Sequence, residues 1–240
     1  MVMRLILDPG HMGVGNMDCG AVGGGVYECN ITLSIAKLVA DIVSQYGVEV
    51  KLTRTGNDAG NSLQRKCDIA NEFGADYFIS IHCNAADAVS ANGSETFSYS
   101  TSGKGRELAA KIQPKLVQAI GTTDRGLKTA NYYVLKNTHM PAVLVETAFI
   151  TNDSDRAKLL NSQSQIANAI ARGFLEQAGI TYTGSSTSTS TSTSSVSTNT
   201  LTKNLQHFIN ENGVDSLTED GLIGPRTRAG IKKVLDKIGY

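Results

Sequence analysis

The sequence predicts an α/β domain with a largely parallel sheet flanked by helices, followed by a small helical C-terminal module. Two observations carry the domain: short aliphatic runs bounded by turn residues alternate with stretches of helical periodicity, and histidine or glutamate lies at or just past the carboxyl end of three of those runs. A third, a Ser/Thr-rich tract near residue 190, marks where the domain stops.

Leu5-Ile6-Leu7 is the first run, and Asp8-Pro9-Gly10 closes it. Three consecutive aliphatics suit a strand buried on both faces. Pro9 cannot donate to a ladder and Gly10 permits a tight turn, so His11 is expected just past the strand's carboxyl end, where open α/β sheets place their ligands. Ile31, Ile35, Leu38, Val39, Ile42, Val43 and Tyr46 mark one face of a helix over 30–46, capped by Gly47. Residues 48–53 alternate as a strand does. Residues 62–74 form a helix with Leu63, Ile69, Ala70 and Phe73 inward, ended by Gly74. Residues 76–81 form a strand running into His82, and 94–100 form another. A helix over about 103–120 contains Pro114, which predicts a kink or a shortened helix. Residues 132–135 and 142–145 are apolar enough for central strands, and Glu146 follows the second. One last helix spans about 153–178, with Asn152 or Asp153 as its cap.

Composition narrows the function. Lys and Arg total 22, as do Asp and Glu, so no bulk charge favours nucleic acid or an anionic membrane. No apolar run is long enough for a membrane span, and no signal peptide is visible, so the expectation is synthesis in a host cytoplasm. Cys19, Cys29, Cys67 and Cys83 form no C-x-x-C pair and read as reduced, mostly buried thiols. Of the seventeen residues 184–200, fourteen are Ser or Thr. Such a tract cannot bury enough apolar surface to order itself. The expected organisation is a domain over 1–180, a linker over 181–200 and a module over 201–240.

The candidate chemistry lies at His11, Glu28, His82 and Glu146. Three of these follow strands, and Glu28 opens the first crossover helix, so in a parallel sheet all four meet at one edge. Two histidines and a carboxylate form a recurrent catalytic zinc (Zn2+) set, and Glu146 then fits the carboxylate that carries a proton. Taken singly, plainer roles exist. Glu28 can complement a helix dipole, His82 can be a satisfied buried histidine, and Glu146 can pair with Arg65. Coincidence at one edge is what these plainer roles explain poorly.

The stretches Leu7–His11, Glu28 with Asn30, Leu52–Arg54, Ser80–Ala85, Gly93–Phe97 and Pro141–Glu146, with Phe149–Asn152 after them, resemble the zinc-dependent N-acetylmuramoyl-L-alanine amidases of the type-3 family. The likeness covers about residues 4–178. It implies a twisted sheet, zinc held by His11, Glu28 and His82, and Glu146 as catalytic carboxylate. The implied substrate is the peptidoglycan amide between the lactyl group of muramic acid and L-alanine, and cutting it lyses the wall. Met12 and Ala148 depart from the pattern at positions where glycine is frequent. Together with the missing signal peptide, the resemblance suggests a phage endolysin that reaches the wall after release, or a bacterial enzyme of mother-cell lysis. The alternatives are a zinc peptidase cutting within the stem peptide and a non-catalytic wall-binding protein.

Cys83, next to His82, is expected to face away from the site and stay inert. The glycine-rich stretch from Gly20 to Gly25 is expected beside the cleft, His139 on a rim loop and His207 outside the zinc set. In the module, Leu205, Phe208 and Ile209 precede Asp220–Thr227, a turn leading to a helix with Ile231, Val234, Leu235 and Ile238 inward. That turn resembles helical peptidoglycan-binding domains. About forty residues make a marginal core, and pairing of two chains through the module into a dimer stays open as its other role.

Overall fold

The structure, a computed structural model, describes residues 2–16, 18–56, 62–183, 206, 227 and 229–233. The chain divides into two units, Met1–Thr183 and Gly184–Tyr240. In the second, Gln206 donates to Thr227 at 3.2 Å and residues 229–233 are helical. The Ser/Thr tract, His207 and most of the expected module lie outside the described residues.

The first unit is built on a six-stranded sheet in the order β4-β1-β5-β8-β6-β7. The strands are β1 (Arg4–Pro9), β4 (Glu49–Leu52), β5 (Tyr77–Asn84), β6 (Ser94–Ser98), β7 (Asp124–Thr129) and β8 (Ala142–Phe149). β4, β1, β5 and β8 are mutually parallel. β6 runs antiparallel to β8 and parallel to β7. A two-stranded ribbon of β2 (Val22–Gly23) and β3 (Val26–Tyr27) stands apart from the sheet.

Pleating sorts the aliphatic runs onto two faces. Leu5, Leu7, Ile79, Ile81, Val143 and Val145 join one core, with Ile31 and Ile35 of α1 (Glu28–Ser44), Leu108 and Ile112 of α3 (Gly103–Ile120) and Ile166 and Ile170 of α6 (Gln163–Gln177). Ile6, Phe78, Ala142 and Leu144 join the other, with Cys67 and Ala70 of α2 (Leu63–Phe73) and Val134 and Leu135 of α4 (Tyr133–Asn137). Burial on both faces explains why these strands read as continuous apolar runs.

Several expectations are corrected. Tyr132–Leu135 is not a strand: residues 133–137 form α4, which lays Val134 and Leu135 against the second core. The remaining strand of the sheet is instead β7, whose residues are exposed or half-buried, as suits an edge strand without apolar alternation. α3 runs its full eighteen residues through Pro114. The last helix is two, α5 (Asp153–Asn161) and α6, separated at Ser162. Asn152 caps α5, its side chain accepting from the Asp155 amide. Leu63, expected inward, is exposed. Gly74 takes the left-handed cap conformation. Gly47 has positive φ as well, two residues past the α1 cap Gln45.

One buried ion pair lies beneath the β1 carboxyl end. Asp8, 1% exposed, meets Lys66 Nζ at 2.7 Å. Thr53 Oγ1 donates to it at 2.6 Å and Ser80 Oγ at 2.7 Å. Lys66 Nζ also donates to the Pro9 carbonyl at 3.0 Å. Burial pushes the Asp8 carboxyl up, but the Lys66 charge and these hydrogen bonds outweigh it and hold it below its ordinary value. The pair fastens β1, β5, α2 and the stretch after β4 to one point. Asp8→Ala leaves Lys66 buried without its partner and should cost about 3–5 kcal/mol, read as a lower midpoint in urea unfolding.

Candidate active site

The parallel register sets the site. Pro9 stands beside Ile81, and the Gly10 amide donates to the Ile81 carbonyl at 2.9 Å, so His11 leaves β1 where His82 sits on β5. His82 pairs in register with Glu146 on β8. His11 holds a left-handed backbone, φ +64°, unusual for a residue with a Cβ. That conformation is held by a loop in which the Met12 amide donates to the Asp18 carbonyl at 2.7 Å.

Glu28 is the first residue of α1 and is 3% exposed, so its role is not a surface complement to the helix dipole. Its Oε1 faces His11 Nε2 at 3.0 Å and His82 Nδ1 at 3.1 Å, and accepts the Cys83 amide at 2.9 Å. Its Oε2 accepts the Ala21 amide at 2.9 Å. The two imidazole rings stand 4.8 Å apart at 75°. His11 Nδ1 faces Asp18 Oδ1 at 2.6 Å. Burial lowers the His11 pKa, but Glu28 and Asp18 outweigh it and raise the ring above its ordinary value. Burial raises Glu28, and the two histidines outweigh that and hold it far below the usual carboxylate range.

His11, Glu28 and His82 offer ligand atoms within 4.8 Å of one another, the group of metal-type residues that converges among the described residues. Two imidazole nitrogens and one carboxylate oxygen suit a divalent zinc ion. Asp18 then occupies the outer position that orients a ligating histidine through its second nitrogen. The backbone leaves room for this set. A Cβ on Gly10 would lie 2.6 Å from the His82 ring, and one on Gly20, at φ +76°, would lie 2.6 Å from the His11 ring and 2.7 Å from Glu28.

Glu146 sits beside the three. Its Oε2 is buried with no hydrogen-bond partner among the described residues, although the side chain as a whole is only half-buried. Burial pushes its pKa up to about 7, with the Glu28 and Glu95 charges adding and the histidines opposing. It does not pair with Arg65, which meets Glu72 at 3.3 Å. All four expected residues line one cleft of about 710 Å³, together with Met12, Asp18, Gly20, Leu63 and Tyr132.

Cys83 is buried, its thiol pushed well above its ordinary pKa, and it serves Glu28 through its amide, not its sulfur. His139 is exposed and outside the cleft lining. Ala148, one departure from the family pattern, is fully buried in β8, and Met12, the other, lines the cleft. Reading the sequence missed Asp18, Tyr132 and Arg54. Asp18 had a signal, a carboxylate seven residues after His11. Tyr132 was assigned to a strand; it instead precedes α4 and lines the cleft, its ring 5.2 Å from that of Phe97.

A family model described as N-acetylmuramoyl-L-alanine amidase matches residues 5–176. The chain belongs to that family. It is 46% identical over 173 residues to the N-acetylmuramoyl-L-alanine amidase LytC of Bacillus subtilis, covering 70% of this chain and 34% of LytC. It is 40% identical over 177 residues to the endolysin of Bacillus phage SPP1, covering 71% of this chain and 62% of that one. The chain thus spans about a third of the length of LytC. The structure of the amidase AmiC2 of Nostoc punctiforme matches with a TM-score of 0.68 and 37% identity, over 74% of this chain and 97% of that one. No helix among the described residues is long and apolar enough to cross a membrane.

The raised Glu146 pKa has a sign that can be checked in chelator-treated protein. A carboxyl whose folded pKa lies near 7 lends stability that is complete below its unfolded value and is lost as pH rises to the folded one. Glu146→Gln should remove that loss and leave the variant more stable than the parent at pH 8 by roughly 2 kcal/mol, after allowance for its partial exposure. Urea unfolding at pH 4.5 and 8 measures both.

Proposed function

We propose that this chain hydrolyses the amide between the lactyl group of muramic acid and L-alanine in peptidoglycan, with zinc held by His11, Glu28 and His82 and Glu146 as the catalytic carboxylate. The observation that carries the reading is Glu146 Oε2, buried and unpartnered in register with His82, beside a donor set of the zinc type. Membership of the amidase family supports the choice of bond.

Bound zinc supplies a Lewis acid that acidifies water to a pKa of about 7 and polarises a carbonyl. The protein's own part comes from its geometry. Glu146 takes the proton from the attacking water through its unpartnered oxygen and returns it to the leaving alanine nitrogen. Burial, which raises its pKa in the metal-free protein, makes it a stronger proton acceptor than an exposed carboxylate. His11, Glu28 and His82 would hold the zinc between them, and Asp18 holds the His11 ring so that Nε2 faces the site. The amide would bind in the cleft of about 710 Å³ that His11, Glu28, His82 and Glu146 line.

The Ser/Thr tract would tether a wall-binding module over 201–240, which would raise the enzyme's effective concentration at the polymer. That part rests on sequence alone, as does arrival at the wall after release from the cell that makes the protein. A peptidase cutting inside the stem is the second reading, since the same zinc chemistry serves any amide; the family favours the first.

Glu146→Ala should keep about one zinc per chain and lose at least 10²–10⁴ in rate, read by metal analysis and by turbidity of a wall suspension. Mass spectrometry of the parent enzyme's digest should show intact stem peptides with a free N-terminal alanine. Cleavage within the stem would replace this reading with the peptidase one.

A further inference from the structure

We infer that Arg54 is a positioning residue for the metal site, joining the backbone that carries His11 to the backbone that carries Glu28. The inference rests on the metal reading of His11, Glu28 and His82. Arg54 is 7% exposed, and among the described residues no carboxylate lies within ion-pair distance of it. Its guanidinium is spent on backbone carbonyls instead. Nε donates to Pro9 O at 3.3 Å and His11 O at 3.1 Å. Nη2 donates to Gly10 O at 2.9 Å and Cys29 O at 2.7 Å, and to Thr32 Oγ1 at 3.2 Å. Nη1 donates to Gly56 O at 3.2 Å. Thr32 Oγ1 lies 3.2 Å from both Gly10 O and Cys29 O and shares its one proton between them.

The pattern is selective. Three consecutive carbonyls, Pro9 to His11, turn toward one cation, and the last of them belongs to the residue with the left-handed backbone, His11. The Cys29 carbonyl belongs to the residue directly after Glu28, in the first turn of α1. Arg54 therefore touches neither ligand side chain, yet it fixes the two chain segments that deliver them. A buried guanidinium is costly to desolvate and a general structural role could be served by an apolar side chain. A planar fork with five N–H donors is needed only where several carbonyls must keep fixed mutual directions. Lysine has one nitrogen and cannot span the Pro9–His11 carbonyls and the Cys29 carbonyl together.

The test uses the full chain with Zn2+ or Co2+ alone as probe. The parent is first titrated against a chelator, with His82→Ala as control. Stoichiometric zinc lost in His82→Ala supports the metal reading. No zinc in the parent overturns that reading and this inference with it. Given a zinc-binding parent, Arg54→Lys should unfold at a temperature close to the parent's when metal-free, yet bind zinc at least tenfold more weakly, with an altered Co2+ visible spectrum. Free guanidinium should restore part of the affinity in Arg54→Ala. A folded Arg54→Lys with parental affinity and spectrum overturns the inference while leaving the metal reading intact. If neither Arg54 variant folds, Thr32→Val, close in shape, is read the same way. A severalfold loss of zinc affinity supports the link between the two segments, and parental affinity overturns it.

Discussion

The parallel register of β1, β5 and β8 is the constraint on which the site depends. Because the three strands run in one direction and align Pro9 with Ile81 and His82 with Glu146, their carboxyl ends present histidine, histidine and glutamate at one edge. A slip of one residue in any strand would turn a site side chain to the opposite face and send an aliphatic into the cleft. The aliphatic runs prevent that slip. Leu5, Leu7, Ile79, Ile81, Val143 and Val145 all belong to one core, and Ile6, Phe78 and Leu144 to the other, so each register is held from both sides.

Around that edge the protein buries charge, and each buried charge is matched to a segment that must be placed. Asp8 with Lys66 secures the end of β1 against α2. Arg54 gathers the carbonyls of Pro9, Gly10 and His11 with that of Cys29. Glu28 draws the two imidazoles and the amides of Ala21 and Cys83 around one carboxylate. Glu146, by contrast, keeps a buried oxygen without a partner among the described residues. An unsatisfied buried acceptor destabilises a fold, and the proposed proton transfer would use that oxygen.

Much of this was legible in the sequence because the same physics writes both. Residues buried on two sheet faces must be apolar without interruption, so β1, β5 and β8 were visible as runs, and α1 was visible from its 3.6-residue stripe. The convergence of His11, Glu28, His82 and Glu146 was visible because the strand ends and the crossover-helix start of a parallel sheet share one edge. What was not legible has local causes. Tyr132–Leu135 is aromatic and branched, the composition of a strand, but tertiary packing folds residues 133–137 as a helical turn. β7 is a half-exposed edge and carries no apolar alternation to find. Arg54 was visible only as part of the Leu52–Arg54 stretch of the family resemblance, and nothing in its neighbours announces that it will be buried among carbonyls. Apart from the Thr32 hydroxyl, its partners are backbone carbonyls, which any sequence supplies.

The central claim, that His11, Glu28 and His82 form one zinc site beside a free Glu146, is tested most directly by anomalous diffraction at the zinc edge from crystals of the protein grown with zinc. The predicted result is a single strong peak bounded by those three side chains, with Glu146 outside its ligand set. A peak held by cysteine sulfur or by other residues, or no peak at this site under saturating zinc, would contradict it.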